Sequence, residues 1–333
     1  QSVTTGIENV LIGSLAGDAL SDADYNIAIG HNALTSDTLG SRAIAIGRHA
    51  LETQNFTTAT SNYNIGIGYN TGRLITTGTL NTLLGGQSGD AITTGAGNTA
   101  LGYAALSENV GGSQNVAVGN LALLNFTSAT TSNTYNTAVG GSAGQNLTSG
   151  TDNVFVGGLS ADALTTGGEN VVVGAGALGL DTKGNKSTAI GRLTLATQNF
   201  TSDQDSYNTA VGYNAGNDIT TGVENTLIGG LAGDALIDAD YNVAIGVIAL
   251  SADTYGSRSV AIGYGALTTQ NFGTATNTYN VAIGHGAGLS STTGIRNEFI
   301  GGLAGYSNTT GSNNVGIGLS ALEGNTIGSK SIA

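Results

Sequence analysis

The residues able to do chemistry are few, and most sit in turns. Asp18, Asp22 and Asp24, with a copy at Asp234, Asp238 and Asp240, bring carboxylates to short loop spacing. Hard oxygen ligands so spaced suit calcium. The RTX-type nonapeptide is missing and other repeats lack the cluster, so solvated loop acids are the competing reading. The three histidines, His31, His49 and His285, are too scattered along the chain to suggest a catalytic base or a zinc site. Gly174-Ala175-Gly176-Ala177-Leu178-Gly179 spells a dinucleotide-type glycine loop, yet it lies in phase with a repeat and nothing supplies a βαβ unit around it. Basic residues recur at Arg42, Lys186, Arg258 and Lys330, with Gln114 substituting once. They are placed to pair with a neighbouring chain or to form a solvated edge that discourages lateral aggregation. Phe56, Phe126, Phe200 and Phe272 each precede Tyr63, Tyr135, Tyr207 or Tyr279 in a local expansion of the repeat. Protruding loops on a rigid scaffold carry most binding, so these residues are candidate contact sites for a partner or glycan. The alternative is that Phe and Tyr tuck back as a small satellite cluster. No residue is assigned a catalytic role, and no cofactor is expected apart from the calcium candidates.

The composition points the same way. The chain has 333 residues, 55 of them Gly, with no Pro, Cys, Met or Trp and only 9% charged. That is unusual for a globular enzyme. Disorder is also a poor fit, because β-branched residues recur in regular short runs. A net charge of −13 with no basic cluster argues against nucleic acid and against an anionic membrane surface. No apolar run reaches the length of a membrane span. Without cysteines, stability must come from packing and backbone ladders.

What positions every residue above is a repeat. Its motif is Asn, a β-branched residue, a small or apolar residue, Ile/Val/Leu and Gly, as in Asn26-Ile27-Ala28-Ile29-Gly30. The closing glycines, beginning Gly13, Gly30, Gly47 and Gly68, are spaced by three steps of 17 residues and one of 21. The larger unit is therefore 72 residues and four coils, and the match of Thr5–Gly72 to Thr221–Gly288 is a shift of three such units. Nothing interrupts the count, so residues 1–333 read as one continuous repeat domain.

A short apolar run bounded by Asn and Gly is a strand between two turns. The expected fold is all-β, a parallel β-solenoid of the β-roll or β-helix kind with about 19 coils of 17, 17, 17 and 21 residues. At about 4.8 Å per coil the stack would be roughly 90 Å long. The Ile, Val or Leu before each closing Gly is expected to point into the coil, leaving the middle residue, such as Ala28 or Leu83, to be covered by another layer or another chain. Asn opens 15 of 19 registers, and Asn9, Asn26, Asn64, Asn81 and Asn98 are read as a structural ladder, with Gly13, Gly30 and Gly47 closing the strands.

Phrases such as Asn208-Thr209-Ala210-Val211-Gly212-Tyr213-Asn214-Ala215-Gly216 and Thr309-Thr310-Gly311-Ser312-Asn313-Asn314 resemble the head repeats of trimeric autotransporter adhesins and related bacterial and phage tail-fibre repeats. The resemblance covers essentially the whole chain. It implies a left-handed parallel β-roll, three chains associated as a homo-oligomer, and attachment outside the cell or at its surface. The coils of 17 and 21 residues depart from the usual head coil of about fourteen.

Together these readings predict a non-catalytic structural or adhesive shaft of an extracellular fibre, self-associating and touching a cell-surface protein or glycan. An ice-binding solenoid would need a regular Thr array, whereas Thr stands at only six of nineteen registers in the first strand position. A fibre-borne glycan-cleaving module would need clustered acids in a cleft and a larger coil insertion. The stop at Lys330-Ser331-Ile332-Ala333, inside a strand, suggests a segment of a longer repetitive chain or a subunit whose ends stack on neighbours.

Overall fold

The computed structural model describes residues 4–333, and the chain divides after Gly168 into two compact units. The described residues contain no helix. Each unit is a stack of parallel β-coils. The first contains nine three-residue strands, from Val10–Ile12 to Val154–Val156; the second also contains nine, from Val171–Val173 to Val315–Ile317.

Every strand pairs in parallel with the same position one coil away. Val10 faces Ile27 and Ile27 faces Ile44, a step of 17 residues, whereas Ile44 faces Ile65, a step of 21. The second unit repeats the pattern: Thr226 faces Val243, Val243 faces Val260, and Val260 faces Val281. The extra four residues of a long coil lie against the preceding coil's turn. Thr60–Ser61 pairs with Gly40–Ser41, Gln204–Asp205 with Gly184–Asn185, and Thr276–Asn277 with Gly256–Ser257.

Two features hold adjacent coils in register. The closing glycines have φ from +131° to +145°, and within each unit, from Gly13 to Gly140 and from Gly174 to Gly301, a Cβ added to any of them would run into the carbonyl of the next closing glycine. Only Gly combines that backbone with so close an approach. Beside them, the opening asparagines form buried chains. Asn81 Oδ1 accepts from the Asn98 backbone N–H at 3.0 Å and from Asn98 Nδ2 at 3.1 Å, and Asn81 Nδ2 donates to the Gly95 carbonyl at 2.9 Å. Asn98 repeats this upward onto Asn115. A ladder in which every amide is satisfied tolerates burial that an isolated amide would not.

The strand faces are the reverse of the sequence expectation. The middle residues Ala28, Ala45, Ala117, Ala210 and Ala261 are fully buried, and the Ile, Val and Leu on either side point outward. The coil interior is narrow, and volume decides which face enters it. In the coils of Ala28, Ala45, Ala244 and Ala261, a buried Leu four residues after the closing Gly fills the space, at Leu34, Leu51, Leu250 and Leu267. Beside a bulky middle residue that position is Gly or Ala, both in its own coil and in the coil before: a Cβ on Gly72 or Gly89 would strike Leu83, and one on Gly288 or Gly305 would strike Phe299. Core packing of this density admits no surplus methyl groups.

Seven residues after the closing Gly, a buried Asp–Gln pair occupies the interior of three repeats. Asp37 and Gln54 occupy this position in successive coils, both fully buried. Asp37 Oδ1 accepts from the backbone N–H of Gly40 and Phe56, and Oδ2 accepts from Gln54 Nε2 at 2.6 Å. Gln54 Oε1 in turn accepts from Asn64 Nδ2 at 2.8 Å, joining the relay to the ladder. Copies run through Asp181, Gln198 and Asn208 and through Asp253, Gln270 and Asn280. In the remaining repeat Asn109 and the buried Phe126 take these positions. Burial raises the Asp37 carboxyl above its ordinary value, and its hydrogen bonds pull the other way.

Candidate contact surface

The outward sheet face is built from the flanking strand residues. Val10, Ile12, Leu84, Leu101 and Val139 line it in the first unit, and Val171, Ile190, Ile228, Ile283 and Ile300 in the second, all exposed. Six isoleucines, Ile27, Ile29, Ile44, Ile46, Ile65 and Ile67, make one contiguous patch in three consecutive coils.

Along one edge of this face runs the residue that precedes each ladder position. It is held in the left-handed region in every coil: φ is 62° at Tyr25, 64° at Arg42, 52° at Tyr63, 60° at Tyr241, 66° at Arg258 and 52° at Tyr279. The Arg42 guanidinium lies 5.2 Å from the Tyr25 ring centre and 5.8 Å from that of Tyr63, and Arg258 lies 4.5 Å from Tyr241. Lys186 sits 5.3 Å from the Tyr207 ring and donates to Asp205 Oδ2 at 2.7 Å. That hydrogen bond, more than any other contact, raises the Lys186 pKa and lowers that of Asp205.

The expected contact loops thus separate into two kinds of residue. Tyr63, Tyr135, Tyr207 and Tyr279 are exposed, whereas Phe56, Phe126, Phe200 and Phe272 are buried and do not protrude. The Phe side chains fill the third-coil turn, where a Cβ on Gly184 would meet Phe200 and one on Gly112 would meet Phe126. Burying an aromatic ring outweighs presenting it to water. A Cβ on Gly40, Gly112, Gly184 or Gly256 in the same turn also meets Asp37, Asn109, Asp181 or Asp253.

The other edge of the face carries the residue after each closing Gly. Tyr69, Tyr103, Tyr213 and Tyr264 are exposed there. The structure brings His31 and His49 together at 5.6 Å, with His49 Nδ1 at 2.8 Å from Glu52 Oε1, and stacks His285 on Tyr264 at 5.2 Å.

The calcium candidates do not converge. Asp22 accepts from Thr5 and Asp24 from the Ile7 N–H, while Asp238 accepts from Thr221 and Asp240 from the Val223 N–H. Each such carboxylate links one coil to the next. Asp18 is half-buried, and Asp234 is pushed up to about 6 by desolvation and by Asp218. Among the described residues no group of three or more His, Cys, Asp or Glu is placed to hold a metal ion. Gly174–Gly179 lies in a turn after a strand and opens no helix. No helix of the described residues is long and apolar enough to cross a membrane. Comparison with protein-family models, curated proteins and solved structures finds no match for this chain.

Proposed function

We propose that this chain is a non-catalytic structural and adhesive shaft of an extracellular or cell-surface fibre. In this reading its coils wind left-handed and its copies associate side by side, as a trimer on the strength of the adhesin-like phrases. The observation that carries the proposal is the outward sheet face, where rows rich in Ile, Val and Leu stay half-buried or exposed coil after coil in each unit. Contiguous apolar patches beyond a few hundred Å² mark interaction surfaces. A second copy offers the same rows at the same pitch of about 4.8 Å.

Light scattering on the full chain tests this. The wild type should have a mass that is a multiple of the single chain. Ile46→Lys/Ile262→Lys should reduce it to monomer without loss of β-structure. A wild type that stays monomeric at high concentration refutes the proposal.

A further inference from the structure

We infer that the corners around Arg42 and Arg258 are receptor sites for the carboxylate of an acidic glycan, an inference that rests on the surface-contact part of the fibre reading. The four repeats place different residues in the same corner, and their differences single out two of them. In these four repeats position 42 and its copies are Arg42, Gln114, Lys186 and Arg258, Lys330 following in the next, and position 61 and its copies are Ser61, Asn133, Asp205 and Asn277. The third repeat neutralises itself through Lys186 and Asp205. The second has no charge at these two positions.

The first and fourth repeats keep a cation without a counter-charge. Arg42 Nη1 donates to Ser61 Oγ, and Arg258 Nε donates to Asn277 Oδ1 at 2.9 Å. Among the described residues no carboxylate pairs with either guanidinium within 4.0 Å, although the chain carries 22 acidic residues. Both guanidinium groups are anchored on tyrosine rings, Arg42 on Tyr25 and Tyr63 and Arg258 on Tyr241. A guanidinium held this way retains N–H groups directed to solvent, in the planar fork that suits a carboxylate.

The surroundings select the rest of the ligand. Tyr25 and Tyr63 stand two coils apart, about 10 Å, and Tyr241 and Tyr279 have the same separation. All four rings are exposed and rise from backbone fixed in the left-handed region, so little is lost in ordering them. Phenol faces take the C–H face of a sugar ring, and their hydroxyls take its polar rim. Each corner is thus one anion fork between two aromatic platforms, on an open surface.

The test uses the full chain and immobilised polygalacturonate, dextran sulfate and neutral dextran at low ionic strength. Two double variants copy residues the chain already tolerates: Arg42→Gln/Arg258→Gln reproduces Gln114, and Ser61→Asp/Asn277→Asp reproduces Asp205. The wild type should bind polygalacturonate at least about tenfold more tightly than either dextran, and each double variant should lose about tenfold or more. Assembly mass and circular dichroism should be unchanged. Undiminished binding by the variants overturns the inference, as does equal or better binding to dextran sulfate, which would indicate bare charge attraction. Loss of assembly mass in the variants would assign the two arginines to a neighbouring copy instead. A wild type that assembles but does not bind sinks this inference and leaves the fibre reading standing.

Discussion

Gln54→Leu probes the buried polar relay with little change in volume. The substitution removes the 2.6 Å hydrogen bond to Asp37 Oδ2 and the 2.8 Å bond from Asn64 Nδ2. Asp37 Oδ1 keeps the Gly40 and Phe56 amides, but Oδ2 is left buried without its partner. Losing a hydrogen bond to a buried charged acceptor costs about 2–3 kcal/mol and the Asn64 amide adds about 1, so local stability should fall by about 3 kcal/mol. The loss carries a pH signature. The Asp37 carboxyl is already raised above 3.8 by burial, and removing Gln54, which lowers it, raises it further. A raised carboxyl binds its proton more tightly folded than unfolded, so stability falls as pH rises from the unfolded value through the folded one. The deficit should therefore be complete at neutral pH and shrink as the carboxyl protonates in acid. Native-state hydrogen exchange at the Gly40 and Phe56 amides reads it directly. Asp37→Asn/Gln54→Phe/Phe56→Ser, which copies Asn109, Phe126 and Ser128, should recover most of the loss. Asn109 satisfies itself on the N–H and carbonyl of Gly112, so no charge is stranded beneath the ring. Unchanged protection in Gln54→Leu at neutral pH, or a loss independent of pH, would refute the relay.

Gly47→Ala should cost about 3 kcal/mol or more, because its φ of +132° is strained for Ala and its Cβ would meet the Gly68 carbonyl; chemical denaturation checks it. Ala261→Asp and Ile262→Asp are neighbours with opposite fates. The first should abolish folding of the second unit and the second should change stability by less than about 1 kcal/mol, as read by circular dichroism. Asn81→Ala strands the Asn98 backbone N–H and should lower exchange protection there by about 2 kcal/mol.

Period and register were legible because spacing is a property of the chain alone. The 17- and 21-residue steps between closing glycines are the steps between paired strands. The inward face was not legible by alternation, because both faces of the strand are apolar. The deciding signal was chemical variety. The middle row from Ala28 to Phe299 never carries a polar residue, whereas the flanking row admits Thr82, Thr137, Thr226 and Glu298. The fate of the Phe residues depended on a cavity that only the folded coil creates, between Gly184 and Asp181 or their copies. The Asp37–Gln54 relay lay hidden because its partners come from different coils, and the exchange to Asn109 and Phe126 is its trace in the sequence. The arginine corners followed the same logic, since Ser61, Asp205 and Asn277 acquire meaning only beside Arg42, Lys186 and Arg258.

An electron micrograph of the native assembly tests the central claim most directly. The account predicts filaments of associated chains with an axial repeat of four coils, about 19 Å at the strand spacing. Compact, monodisperse particles of single chains, with the Ile and Val rows left in solvent, would contradict it.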